Sequence, residues 1–108
     1  NSSHKKSMFV NMAISLLKYK LIRTTYQKAK YLRSFFEPII TLSKTDNINN
    51  RRLAFSKLKS KTILNDLFKI GKVFKDTPGG YIRVIKCGFR NGDSAKMAVL
   101  KFSDSKVF

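Results

Sequence analysis

Beyond Pro78-Gly79-Gly80 the hydrophobic period of this chain changes from 3.6 residues to two, which divides it into a helical part and a sheet-forming part. Upstream, Met8, Met12, Leu16 and Tyr19, with Phe9, Ala13 and Leu17 alongside, mark an amphipathic helix. A Ser2 or Ser3 hydroxyl is placed to cap it by accepting from a free backbone N–H. The short β-branched run from Leu21 to Tyr26 reads as a strand. A second helix runs from about Gln27 into the Ile39-Ile40 region, with Ala29, Leu32, Phe36 and Ile40 as its buried stripe. Lys28, Lys30 and Arg33 lie outside that stripe, and Pro38, lacking an N–H, is expected to kink the helix or begin its last turn. Lys44 to Asn47 is a turn by composition, and Asn49-Asn50 opens a third helix. Thr62 is expected to cap a fourth, whose Ile63, Leu67 and Ile70 share a face and which Gly71 ends. Lys72 to Gly80 is then a loop.

Downstream of the switch, Tyr81 to Cys87 alternates, with Ile82 and Val84 on one face and Arg83 and Ile85 on the other. Gly88 to Asp93 is a loop, and Met97 to Phe102 is a last strand that pairs with the preceding one as a long-looped antiparallel hairpin. The expectation is one α+β domain over residues 1–108. About four helices pack on a small mixed three-stranded sheet in the order α-β-α-α-α-β-β. A chain of 108 residues is long enough for one core and not two.

Charge then narrows the function. Twenty-three Lys and Arg face 6 Asp and Glu, a formal net charge of +17. Self-repulsion on that scale destabilises a compact state unless a polyanion is near, and phosphate backbones are the commonest such partner. A hydrophobic fraction of 43% with 12% aromatics separates this chain from a disordered polybasic tail.

Reaction chemistry finds little support. Glu37, Asp46, Asp66, Asp76, Asp93 and Asp104 are scattered singly, whereas acid–base pairs and metal cages need convergent carboxylates. His4 is the single histidine, in a basic terminal segment where a surface or RNA contact fits better than catalysis. Cys87 is the single cysteine, so no intramolecular disulfide forms; on its strand it reads as a small core or sheet residue rather than a nucleophile. Gly79-Gly80 lacks the spacing of a nucleotide-binding loop and reads as a tight turn. No apolar run reaches the roughly 20 residues of a membrane span, and the first residues do not form a secretory signal. No catalytic residue, metal, cofactor or small-molecule substrate is expected, and no membrane partner.

The cations carry the better hypothesis. His4, Lys5 and Lys6 sit in the first turn of the first helix, where positive charge opposes the helix dipole and so is better explained by a partner. Arg51-Arg52 and Lys57-Leu58-Lys59-Ser60-Lys61 bracket a helix, while Arg83, Lys86 and Arg90 lie on or beside a strand. Arg makes paired hydrogen bonds to phosphate and Lys acts as a point charge. Asn11, Asn50 and Asn91 offer neutral contacts to phosphate, ribose or base edges. Tyr26, Tyr31, Tyr81 and Phe89 are either stacking platforms for unpaired bases or core, and periodicity does not choose between these.

Taken in order, short motifs add a resemblance. Asn1-Ser2-Ser3-His4, Met8-Phe9, Asn11-Met12-Ala13 and Ser15-Leu16 open the series, followed by Thr24-Thr25, Lys28-Ala29-Lys30, Leu32-Arg33 and Glu37-Pro38. Lys44-Thr45-Asp46 and Asn50-Arg51-Arg52-Leu53-Ala54-Phe55 continue it. Gly79-Gly80-Tyr81, Arg83, Lys86-Cys87-Gly88-Phe89-Arg90, Gly92-Asp93 and Met97-Ala98 close it. Across nearly its whole length the chain resembles the bacterial large-subunit ribosomal protein L17 family. The resemblance implies a non-catalytic α+β component of the large ribosomal subunit, in a cytoplasmic ribosome or, as the lesser alternative, an organellar one. It implies as partners the large-subunit ribosomal RNA, bound on the solvent side near the peptide exit tunnel, and neighbouring large-subunit proteins. It also implies a short basic segment ahead of Asn1. The residues expected to touch RNA are Ser2, Ser3, His4, Lys5, Lys6, Asn11, Lys18, Lys28, Arg51, Arg52, Arg83, Lys86 and Arg90. Of these, Arg51, Arg52, Arg83 and Arg90 are the favoured phosphate ligands. The alternative is a DNA-binding or nucleoid-associated basic protein, whose consecutive helices imitate a helix-turn-helix; a nuclease ranks below both.

Overall fold

The computed structural model describes the backbone of residues 2–107 and the side chains of residues 4–107. The two serines expected to cap the first helix, Ser2 and Ser3, therefore have side chains outside the described residues. Helix α1 spans Ser2–Tyr19, strand β1 Leu21–Thr25, α2 Tyr26–Ser43, α3 Ile48–Leu58 and α4 Leu64–Val73. Strands β2 (Ile82–Phe89) and β3 (Lys96–Phe102) follow, then a single 3-10 turn at Ser105–Val107. The α+β class and the element order are those expected from the sequence.

Local chemistry explains most boundaries. Thr25 leaves the strand in an extended conformation and its hydroxyl accepts from the Lys28 N–H at 3.4 Å, so Tyr26 opens α2 rather than closing β1. Asn47 caps α3 in the same way, its amide oxygen accepting from the Asn50 N–H at 2.7 Å. Asn50 in turn donates to the carbonyls of Leu42 and Thr45, which ties the α2–α3 turn together and gives this side chain a structural task. Helix α1 stops because Lys20 turns left-handed (φ 66°), its N–H returning to the Leu16 carbonyl while its ammonium donates to the Leu17 carbonyl. Pro38 sits inside α2, which continues to Ser43.

Three expectations about the helices are corrected. Thr62 does not cap α4: the helix begins after Ile63, which is already in the right-handed helical region, and the Thr62 hydroxyl pairs instead with that of Ser60 at 3.2 Å. Gly71 does not end α4, since Lys72 and Val73 continue it; Gly71 is buried where α4 crosses the end of α2. Tyr19 leaves the apolar face of α1 and is 68% exposed, so Ala13, Leu16 and Leu17 form the buried seam.

The sheet is antiparallel throughout and not mixed, in the order β1-β3-β2. The strand that comes last in the chain lies in the middle. It runs antiparallel to both edges, and β1 and β2 never meet. Leu21 faces Lys101 and Thr25 faces Met97 on one side; Ile82 faces Phe102 and Lys86 faces Ala98 on the other. Directly opposed residues share a face. Ile22, Thr24, Ala98, Leu100, Phe102, Ile82 and Val84 therefore look toward the helices, while Arg23, Val99 and Ile85 look away. The core beneath this face holds Leu32, Phe36 and Ile40 of α2 with Leu67 and Phe68 of α4. Phe74 and Phe102 join it, their ring centroids 6.3 Å apart. Tyr81, the sole core member of the four aromatics left open by the sequence, packs 5.2 Å from Phe74 and shares a hydrogen bond of 2.8 Å with Thr41.

β2 runs two residues further than expected, to Phe89, because a register shift between Lys86 and Phe89 lets pairing resume with Phe89 opposite Lys96. Cys87 lies in that shifted segment and is exposed, a sheet residue and not a core one.

Candidate nucleic-acid interface

The favoured arginines divide into two kinds. Arg51 grips Asp46 through Nε (2.6 Å) and Nη2 (2.8 Å), donates to the Asn65 amide oxygen at 3.2 Å and lies 4.9 Å from the centroid of Phe68. A guanidinium with two bonds to a carboxylate and a ring beneath it is held in place and has its charge largely cancelled. The same pairing holds the Asp46 carboxyl below the usual range. Arg90 clasps Asp93 at 3.1 and 2.5 Å, and Asp93 also accepts from the Ala95 N–H, which closes the β2–β3 turn. Arg52 and Arg83 are exposed, and neither has a carboxylate partner among the described residues.

The Asp93 clasp makes a pH prediction. The Arg90 guanidinium first, and then the Ala95 N–H, hold the Asp93 carboxyl at about 2 against an ordinary 3.8. Because the folded value lies below the unfolded one, the clasp contributes fully above pH 3.8 and is lost as pH falls toward 2. In an NMR titration the Ala95 amide should move with a midpoint near 2, and Asp93→Asn should abolish the movement. A midpoint at the ordinary carboxylate value would show that the clasp does not form. Glu37 behaves oppositely. Burial pushes its carboxyl up, against the lowering influence of the Tyr81 and Gly80 N–H groups and the Arg33 charge. It accepts from the Tyr81 N–H at 3.1–3.2 Å and so pins the start of β2 to α2.

The remaining candidates are brought together in part. His4, Lys5, Lys6, Asn11 and Lys18 are exposed on α1, and Lys28 is exposed in the first turn of α2. Lys5 and Lys28 flank one cavity of about 490 Å³, floored by Met8, Phe9 and Tyr31, the last 58% exposed. Lys6 and Asn11 line a groove of about 680 Å³ with Lys57 and Lys59, so the basic cluster at the end of α3 joins that of α1. Lys18 stands apart, its ammonium 5.9 Å from the Tyr19 ring. Arg83 faces Lys101 across the sheet, on the side away from the helices, where Arg23 also emerges. Lys86 and Lys30 lie on the ring of Tyr26, at 4.8 and 5.3 Å from its centroid. Arg23, Lys30, Lys96 and Lys101 are not among the contacts expected from the sequence. Their only local signal is charge; strand register puts Arg23 and Lys101 on one face of the sheet, and Lys30 of α2 shares a cavity wall with Lys96.

The arrangement offers cations on several faces and grooves walled by apolar and aromatic side chains. Among the described residues no three His, Cys, Asp or Glu side chains gather as metal ligands, and no helix is long and apolar enough to cross a membrane. A family model described as Ribosomal protein L17 matches residues 8–103, which reaches every helix and strand of the fold.

Proposed function

The chain belongs to the Ribosomal protein L17 family, and from that premise we propose that it binds and scaffolds large-subunit ribosomal RNA through its basic surface. Membership makes it a structural protein of the large ribosomal subunit. The finer reading concerns how it is held there. Exposed cations neutralise phosphates where RNA segments crowd, and the folded body fixes their spacing. The observation that carries this reading is the family match over residues 8–103 of a chain with a net charge of +17. RNA then stabilises the protein by linkage, because the unfolded chain binds the folded RNA site less well. Lys5, Lys6, Asn11, Lys28, Arg52, Arg83 and Lys86 are the proposed contacts in the described part of the chain, with Ser2, Ser3, His4 and Lys18 at the margins. Arg51 and Arg90 shape the surface first and reach phosphate only with the edges their carboxylates leave open. Neighbouring proteins of the subunit and a position on its solvent side near the exit tunnel belong to the same proposal, as does a cytoplasmic rather than organellar ribosome.

The test is co-sedimentation of the tagged chain with ribosomal subunits from a lysate, before and after a high-salt wash. Stoichiometric retention in the large-subunit peak after washing is expected. Recovery only in light or nucleoid fractions would overturn the reading.

A further inference from the structure

Phe89 is 65% exposed and has no place in the hydrophobic core. Its position is set by the irregularity in β2. Lys86 pairs with Ala98 and Phe89 with Lys96, so two residues, Cys87 and Gly88, stand opposite Met97 alone. Side chains alternate along a strand, so a uniform register would have put Phe89 on the face opposite to that of Lys86. The extra residue returns it to the face of Lys86, Ala98 and Lys96. Gly88 takes the positive φ of 95° that this bend uses.

That face packs against the helices along most of its length. Helix α2 begins at Tyr26, and at this end of the face Lys86, Phe89 and Lys96 are exposed. A cavity of about 480 Å³ there is lined by Tyr26, Lys30, Ala95 and Lys96 among others, with no carboxylate in its wall. By register Phe89 stands opposite Lys96 and on the face of Lys86, whose ammonium shares the Tyr26 ring with that of Lys30. The turn that follows Phe89 is fixed by hydrogen bonds from Arg90 N–H to the Ala95 carbonyl (2.8 Å) and from Ser94 N–H to the Arg90 carbonyl (3.0 Å), together with the Arg90–Asp93 clasp.

We propose that Phe89 is a stacking platform for one unpaired base of the RNA, with Lys30, Lys86 and Lys96 holding the phosphates on either side. Charge selects the partner: three cations without a carboxylate among them repel a basic protein surface and attract a polyanion, and a base offers the flat face that an exposed ring accepts. The inference rests on the RNA-binding reading above and assigns to it a contact that does not depend on charge.

The test measures binding of the full chain to large-subunit ribosomal RNA across a salt series. Phe89→Ala is expected to weaken binding roughly ten- to hundredfold while leaving the salt slope unchanged, because stacking releases no counterions. Lys86→Ala should lower the slope instead. The chain contains no tryptophan, so Phe89→Trp introduces a single indole; it should bind like the parent and lose fluorescence when RNA is added. Wild-type affinity in Phe89→Ala, with an unquenched indole, would overturn the proposal. So would unchanged affinity for free RNA combined with poor retention in subunits, which would assign the ring to a protein neighbour. Failure of the parent chain itself to bind RNA would instead overturn the reading on which the proposal rests.

Discussion

Replacing Gly71 with alanine should lower the stability of this protein by about 2–3 kcal/mol, although alanine is the better helix former by roughly 1 kcal/mol. The sign reverses because of where α4 meets α2. A Cβ on Gly71 would lie under 3.0 Å from the carbonyl oxygen, carbonyl carbon and hydroxyl of Ser43. Ser43 is buried, and its hydroxyl already donates to the Ile40 carbonyl at 2.6 Å. Two of the three obstructing atoms are backbone, so no rotamer change makes room and one helix has to slide along the other. Thermal unfolding followed by circular dichroism should show a fall in Tm of roughly 10–20 °C for a domain this size. Gly79→Ala is the control: a Cβ there would meet nothing within 4 Å and the φ of Gly79 is not positive, so Tm should hold. Adding Ser43→Ala to the Gly71 variant should not restore stability, since the carbonyl remains. Full rescue by that second change would place the obstruction in the hydroxyl and contradict the argument.

Gly71 also shows where reading the sequence stops. A glycine at the end of an apolar-periodic segment, followed by Lys72, has the signature of a helix C-cap. What overrides that signature is contact with Ser43, 28 positions away, and no local pattern carries it. The stripe of α2 is legible because Ala29, Leu32, Phe36 and Ile40 repeat within one element. The β2–β3 hairpin is legible because its partners are close in sequence. The pairing of Leu21 with Lys101 is not, and with it go the antiparallel character of the sheet and the central place of β3. Periodicity reports which residues face inward; it does not report what they face.

The same division holds for the candidate surface. Its sign is legible from composition, and the family from a series of short motifs. The state of each arginine is not. Arg51 and Arg52 are adjacent and look alike in sequence, yet one is bound to Asp46, Asn65 and the Phe68 ring while the other is exposed with no carboxylate partner among the described residues. Asp46 lies five positions from Arg51 across the α2–α3 turn, and Asp93 three positions from Arg90 across the hairpin turn. Both acids are therefore spent on closing turns. Tyr26, Tyr31, Tyr81 and Phe89 separate in the same way: Tyr81 is core, Tyr26 carries two ammonium groups, and Tyr31 and Phe89 are exposed.

This difference between bound and unbound cations leads to the largest functional effect expected. Each phosphate neutralised by a free Lys or Arg adds about 0.7–0.9 to the slope of log K against log salt. A cation already cancelled by a carboxylate releases few counterions when RNA arrives. Substituting Lys6, Lys28, Arg52 and Arg83 together with alanine should therefore reduce the slope by roughly three and weaken binding to large-subunit RNA at least about a hundredfold at physiological salt. All four are exposed, so Tm in the absence of RNA should stay close to that of the parent. Arg51→Ala with Arg90→Ala should give the reverse pattern: a lower Tm, because Asp46 and Asp93 lose the partners that close their turns, with the salt slope changed by about one at most. Both variants remove cations, and they differ in whether the structure has already used the charge. A quadruple variant that kept the parental slope would show that phosphate contact lies elsewhere. A double variant that lost as much slope as the quadruple one would mean that RNA displaces the carboxylates, turning the two clasps from fixed supports into a reserve of binding charge.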